Sequence, residues 1–118
     1  MATSTDKETL TLLLFASASS YAGTESLHLP APTTLGAIFQ TLETRFPGFL
    51  AKILSGAAVT LNLEYVDVSF PEVEPGREAE MALGLGLMWD EWNASLEGWR
   101  TPVKAGDEVG VIPPVSSG

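Results

Sequence analysis

The chain has 118 residues, 45% of them hydrophobic, which is enough for one packed domain and too little for two. Its 15 Asp and Glu against six Lys and Arg give a formal net charge of −9, which argues against nucleic acid or an anionic membrane as partner, since both attract cationic surfaces. With no cysteine and one histidine, His28, the chain lacks the parts for disulfides, thiolate metal sites, cysteine nucleophiles, zinc sites and Ser–His–Asp catalysis, so no metal site is expected.

Residues 1–8 are polar and read as a frayed lead-in. Residues 9–16 (TLTLLLFA) are short and nearly continuous in apolar side chains, which predicts a buried strand. The apolar run 10–18 is too short to span a bilayer and has no basic flank, so a soluble, cytoplasmic protein is expected. SSYAGTE supplies turn residues around Gly23, and SLHLP alternates Leu27 and Leu29 against Ser26 and His28, as a half-buried strand does. His28 falls on its polar face.

The clearest helix follows. Leu35, Ile38, Phe39, Leu42 and Phe46 share one face, Thr33 or Thr34 can cap the start, and Pro47-Gly48 ends it. FLAKILSG reads as a short helical turn. Residues 58–70 (AVTLNLEYVDVSF) show two alternating stretches, predicting a strand, a tight turn and a second short strand. A turn at Gly106-Asp107 then introduces a final strand through Val109, Val111 and Ile112. The order strand, strand, helix, strand, short strand, final strand predicts an α+β domain in which one mixed sheet packs on one main helix, the order of a β-grasp (ubiquitin-like) fold.

Residues 71–100 stand apart from that plan. They hold seven acidic residues, two arginines and all three tryptophans, Trp89, Trp92 and Trp99. Prolines and glycines punctuate both ends, so the segment reads as an insertion before the last strand, with a helix within 79–96. Its tryptophans serve either to anchor the loop on its own domain or to contact a partner; anchoring is the preferred reading, because a large loop needs an anchor. GLGLMWD lacks the third glycine and preceding strand of a dinucleotide site, and the carboxylates form no pair suited to acid–base work.

The ending, IPPVSSG, is informative. Pro113 and Pro114 hold φ near the polyproline value and stiffen the exit, and Val115, Ser116 and Ser117 carry no bulky or charged group that would bar a narrow slot. Residues 113–118 reach roughly 20 Å when extended. Gly118 has no Cβ, so its carboxylate is open to attack from any side. These are the properties needed when the terminal carboxylate is itself the reacting group.

The VSF of 68–70, the closing VKAGDEVGVIPPVSSG and the early LLLFASASSYAGTESLHL resemble the small, sulfur-carrying subunit of molybdopterin synthase. The resemblance implies a single β-grasp carrier domain over 1–118, with a reactive tail at 113–118. Gly118 would be converted to an acyl-adenylate by a ubiquitin-activating-like enzyme that uses ATP, then to a thiocarboxylate, so that AMP is linked only transiently and no cofactor is held stably. The tail, Pro113 to Ser117 and then Gly118, would enter the active site of the large catalytic subunit. There its sulfur would pass to cyclic pyranopterin monophosphate, within a heterotetramer of two small and two large subunits. The exposed apolar part of the sheet, including Phe15 and Phe70, would form the interface, while acidic residues complement a basic pocket on the partner. Two features depart from the family: Ser117 stands where it usually has the first glycine of a Gly-Gly pair, and the family does not explain the purpose of the insertion at 71–100. A related carrier for thiamine or tRNA thiolation, and a non-reactive β-grasp interaction module, are the competing readings.

Overall fold

Alternation along the strands turns one face of a five-stranded sheet towards the core and leaves the other open. The computed structural model describes residues 8–71 and 86–114. In strand β1 (Thr9–Leu14), Leu10, Leu12 and Leu14 are buried, while Thr9, Thr11 and Leu13 lie on the opposite face. The expectation of a wholly buried strand over 9–16 is thus corrected: only every second residue enters the core, and pairing ends at Leu14. β1 pairs antiparallel with β2 (Ser26–Pro30), which places Leu12 opposite Leu27 and Leu10 opposite Leu29 and leaves His28 exposed.

Between β1 and β2 the sequence reads as a turn, but residues Ser17–Ala22 form a short helix, α1. Its sequence, SASSYA, carries no apolar period that would announce it. Ser19 Oγ donates to the Ala16 carbonyl at 2.9 Å, and Gly23, at φ 77°, closes the helix with an N–H bond to the Ser19 carbonyl.

A two-residue strand β3 (Thr33–Thr34) leads into helix α2 (Leu35–Arg45). Of the two threonines able to cap it, Thr34 does so, accepting the Ala37 N–H at 3.3 Å. Leu35, Ile38, Phe39 and Leu42 are buried on the sheet side, as their spacing predicts. Two further N–H groups of the first turn find partners beyond the helix: Leu35 donates to the Thr101 carbonyl and Gly36 to the Trp99 carbonyl.

Glu43 occupies the same buried face, 1% exposed. Its carboxylate accepts the Gly48 N–H at 2.9 Å and the Leu50 N–H at 2.8 Å, so it satisfies the start of the next helix, α3 (Phe49–Lys52). A 3₁₀ turn, Leu54–Gly56, then delivers the chain to β4 (Ala58–Leu61), which forms a hairpin with β5 (Glu64–Val66).

The last strand, β7 (Glu108–Ile112), lies at the middle of the sheet, whose order is β2-β1-β7-β4-β5. It runs parallel to β1 and antiparallel to β4, giving the mixed β-grasp sheet with α2 across its inner face. Strand β6 (Pro102–Val103) pairs with β3, an addition the sequence does not announce because each strand has only two residues.

Helix α4 (Gly86–Ser95) belongs to the insertion, within the predicted range, and it packs on α2. Trp89 and Trp99 are buried, and Trp92 is half-buried against them. The Trp99 ring meets Phe39 edge-on at 5.2 Å between centroids, and its Nε1 donates to the Ser69 carbonyl at 2.7 Å. The tryptophans therefore anchor the segment on its own domain. Gly36 makes the approach possible: a Cβ there would overlap the Asn93 side-chain oxygen and stand 2.8 Å from Trp99 Cε3.

Two predictions follow from this packing. Gly36→Ala should lower stability by about 1–3 kcal/mol in urea unfolding, although alanine is the better helix former, because the buried Trp99 ring cannot yield. Glu43→Gln should cost about 1–3 kcal/mol in the same assay, since the amide's NH₂ would face one of the two N–H groups that Glu43 now accepts.

Candidate functional site

The outer face of the sheet and the end of β7 form one continuous surface. Along β7, Val109 and Val111 point into the core, so Glu108, Gly110 and Ile112 face outward. The outward residues of the neighbouring strands flank them: Leu13 from β1, Thr60 from β4 and Tyr65 from β5, with Thr60 paired to Gly110 and to Tyr65. Together with Phe15 and Leu63 they line a shallow, mostly apolar groove of about 220 Å³.

Phe15 follows β1 directly and is held by its N–H bond to the Val111 carbonyl at 3.2 Å. Its ring lies across Gly110, with Cε2 3.6 Å from where a Cβ on that glycine would stand. The same Cβ would meet Thr60 Oγ1 at 2.5 Å, so only glycine allows Thr60 and Phe15 to close over β7 at this point. Phe15 remains 44% exposed, Tyr65 75% and Leu63 83%. Such a concentration of exposed large apolar groups on one sheet face is a feature of contact surfaces.

Phe70, expected on this face beside Phe15, is elsewhere. It is half-buried on the inner side, its ring 5.2 Å from Phe39 and 6.4 Å from Trp99 between centroids. The chain leaves β5 at Val66 and crosses towards the insertion, where the Ser69 N–H bonds to the Glu97 carbonyl and draws Phe70 into the aromatic cluster.

The exit of the chain is fixed on both sides. Ile112 pairs with Ala58, the last rung of the β4–β7 ladder, and Pro113 cannot extend it because it has no N–H. Pro113 is buried and Pro114 exposed. Pro113, expected in the free tail with Pro114, is thus packed within this domain, and exposure begins at Pro114. The Pro114 ring passes Gly56 of the 3₁₀ turn, its Cγ 3.7 Å from the position of a Cβ on that glycine. Val115, Ser116, Ser117 and Gly118 lie outside the described residues.

The other end of β7 is held by polar bonds. Asp107 accepts the Lys104 N–H at 2.8 Å and the Asn62 side-chain amide at 3.2 Å, and these two bonds, the first the stronger, hold its carboxyl below the ordinary Asp range. Because the folded value is lowered, this support is present at neutral pH and is lost as pH falls through the folded value. Asn62 Oδ1 in turn accepts the Glu108 N–H at 2.9 Å, which ties the β4–β5 hairpin to the start of β7. Among the described residues no three His, Asp or Glu side chains gather into a potential metal site, and no helix is long and apolar enough to cross a membrane.

Sequence reasoning named Phe15 for the exposed apolar face, where the structure leaves it 44% exposed, but did not name Leu13, Leu63, Tyr65 and Gly110. Leu13 was concealed by the Leu12-Leu13-Leu14 run, whose middle member alternation places outward with Thr9 and Thr11. Tyr65 was legible in the Thr60–Tyr65 alternation once the hairpin register was set.

No protein-family model matches the chain. The chain is 39% identical over 118 residues to a molybdopterin synthase sulfur carrier subunit of Aspergillus niger, covering 100% of both. It is also 39% identical over 107 residues to the one of Pyrenophora tritici-repentis, covering 91% of this chain and 87% of that one. Among solved structures, it resembles small archaeal modifier protein 1 of Haloferax volcanii, with TM-score 0.59, 18% identity, and coverage of 93% of this chain and 99% of that one. The same protein from Methanosarcina acetivorans matches with TM-score 0.57, 20% identity and coverage of 93% and 96%. The structural likeness establishes the ubiquitin-like fold alone, but identity of this extent over nearly the whole chain places it, with its apolar sheet face and proline-anchored exit, in the family of molybdopterin synthase sulfur carrier subunits.

Proposed function

We propose that this chain carries sulfur as a thiocarboxylate on Gly118 and delivers it within molybdopterin synthase. The observation that carries the reading is the exit of the central strand: β7, whose outward residues line the open apolar groove, is followed by a buried proline and then by the exposed Pro114. A carboxylate is a poor electrophile. An activating enzyme of the ubiquitin-activating type supplies a leaving group by attaching AMP from ATP to the Gly118 carboxylate, releasing pyrophosphate. Hydrosulfide then attacks the acyl carbon, AMP departs with the bonding pair, and a thiocarboxylate and a proton result. With no cysteine in the chain, no side-chain persulfide competes for this role.

The groove around Phe15 docks the large subunit, and the tail from Pro114 onward enters its active site. There the sulfur passes to cyclic pyranopterin monophosphate. Each carrier delivers one sulfur and a dithiolene needs two, which suits a heterotetramer of two small and two large subunits. Ser117, in place of the usual glycine, puts one small hydroxymethyl group beside the reacting glycine, and the slots of both partners must admit it. Activation consumes ATP, so the reading assigns the carrier to the cytoplasm.

Incubation with the activating enzyme, ATP and sulfide should raise the intact mass by about 16 Da, one oxygen exchanged for sulfur, and removal of Gly118 should abolish the gain. An unchanged mass in the intact chain would instead make it a non-reactive interaction module. For the docking face, Phe15→Asp should weaken binding of the large subunit at least about tenfold while shifting the melting temperature only slightly, as calorimetric titration and thermal melting would show. Unfolding of that variant would place Phe15 in the core and remove it from the interface.

A further inference from the structure

We infer that Leu63 is a docking anchor for the large synthase subunit, held in an unfavourable backbone conformation because that contact requires it. The inference rests on the function proposed above and names a second contact point on the same face.

β4 and β5 are joined by two residues, Asn62 and Leu63, with φ of 52° and 73°. A two-residue hairpin turn with both central residues at positive φ matches the twist of its strands, and its second position strongly favours glycine, because a Cβ there crowds the backbone. Asn62 suits its place, since its side chain bonds the Glu108 N–H and Asp107. Leu63 has no such local reason. At 83% exposed, it gains almost nothing from burial in its own domain that could offset the strain. A strained conformation at an exposed apolar residue points to a use outside the domain.

The position indicates which use. Leu63 lines the same groove as Phe15 and Ile112 but sits at its other end. Leu61 pairs with Val109 at the start of β7, whereas Ile112, at the end of that strand, leads to Pro114. The two ends of β7 are about 13 Å apart. Contacts near Phe15 and Ile112 alone would leave the carrier free to pivot about its own tail. An apolar anchor at the far end removes that rotation and fixes the direction in which the tail is presented. The occupant is the large subunit, because the groove is continuous with the strand that delivers the tail, and whatever receives the tail covers this face. Glu108 beside the anchor calls for a basic rim on that partner.

The test titrates the cognate large subunit with the intact carrier, with Leu63→Gly and with Leu63→Asn, and melts each carrier alone. Both variants should melt at the same temperature or up to about 4 °C higher, since the turn is relieved, while affinity falls about tenfold or more. Wild-type affinity in the variants would overturn the inference. So would a clearly lower melting temperature in both, which would make Leu63 a support of its own hairpin. A defect confined to loading by the activating enzyme, or to self-association of the chain in size-exclusion chromatography, would assign the residue to another occupant and equally overturn it. Failure of the intact carrier to bind the large subunit would bring down the proposed function as well, whereas normal binding by the intact chain and both variants removes only Leu63.

Discussion

The position of β7 constrains everything else in this molecule. Hydrogen-bonded on one edge to β1 and on the other to β4, with Val109 and Val111 fully buried, it is the strand least able to move. A slip of one residue would exchange its two faces, driving Glu108 and Ile112 into the core and placing both valines in solvent, so the register is fixed by burial as well as by pairing. The chain therefore leaves the domain from a stationary point. Pro113 ends the ladder because it has no N–H to offer, and its burial prevents the stationary point from sliding outward.

The two faces of the sheet serve different ends. On the inner face lie α2, the Glu43 carboxylate that joins α2 to α3, and the aromatic cluster formed by Phe39, Phe70, Trp89 and Trp99. The insertion contributes to that face directly: Trp99 supplies a carbonyl to the first turn of α2, as does Thr101 just beyond the insertion, and α4 closes over the bare Gly36. It is therefore part of the domain's own stability. The outer face carries little of that burden, which leaves Phe15, Leu63 and Tyr65 exposed without loss of the fold. Gly110 mediates between the two faces, since its missing side chain lets Phe15 lie flat on a strand whose alternate residues are core.

Much of this was readable before any coordinates. The five apolar positions from Leu35 to Phe46 announce α2, and the alternation around Asn62 announces the β4–β5 hairpin, because in both cases the period of the side chains is the period of the backbone. What stayed hidden had no period to show. Helix α1 is mostly serine and alanine, and it is held by the Ser19 and Gly23 bonds, by the burial of Ala18 and by Tyr21, whose hydroxyl donates to the distant Pro47 carbonyl. Strands β3 and β6 are too short for alternation to register. Phe70 reads as a partner of Phe15 because both fall within predicted strands; only the path of the insertion, a long-range fact, sends one ring inward and leaves the other outside. The burial of Pro113 is of the same kind, since a Pro-Pro pair reads identically whether its first ring is anchored or free.

The anchored proline also sets a length scale. On the proposed function, the residues from Val115 to the reacting Gly118 would span about 14 Å if fully extended, close to the length of β7 itself. On that reading, the partner's reacting centre lies within that distance of Pro114. Docking and delivery would then share one continuous surface of the partner rather than distant domains. An error of orientation at the face becomes a displacement of comparable size at the terminal carbon, because the tail is about as long as the lever that aims it. On the proposed function, delivery depends on the geometry at the docking face, which is why the shape of the sheet would matter to chemistry carried out beyond its end.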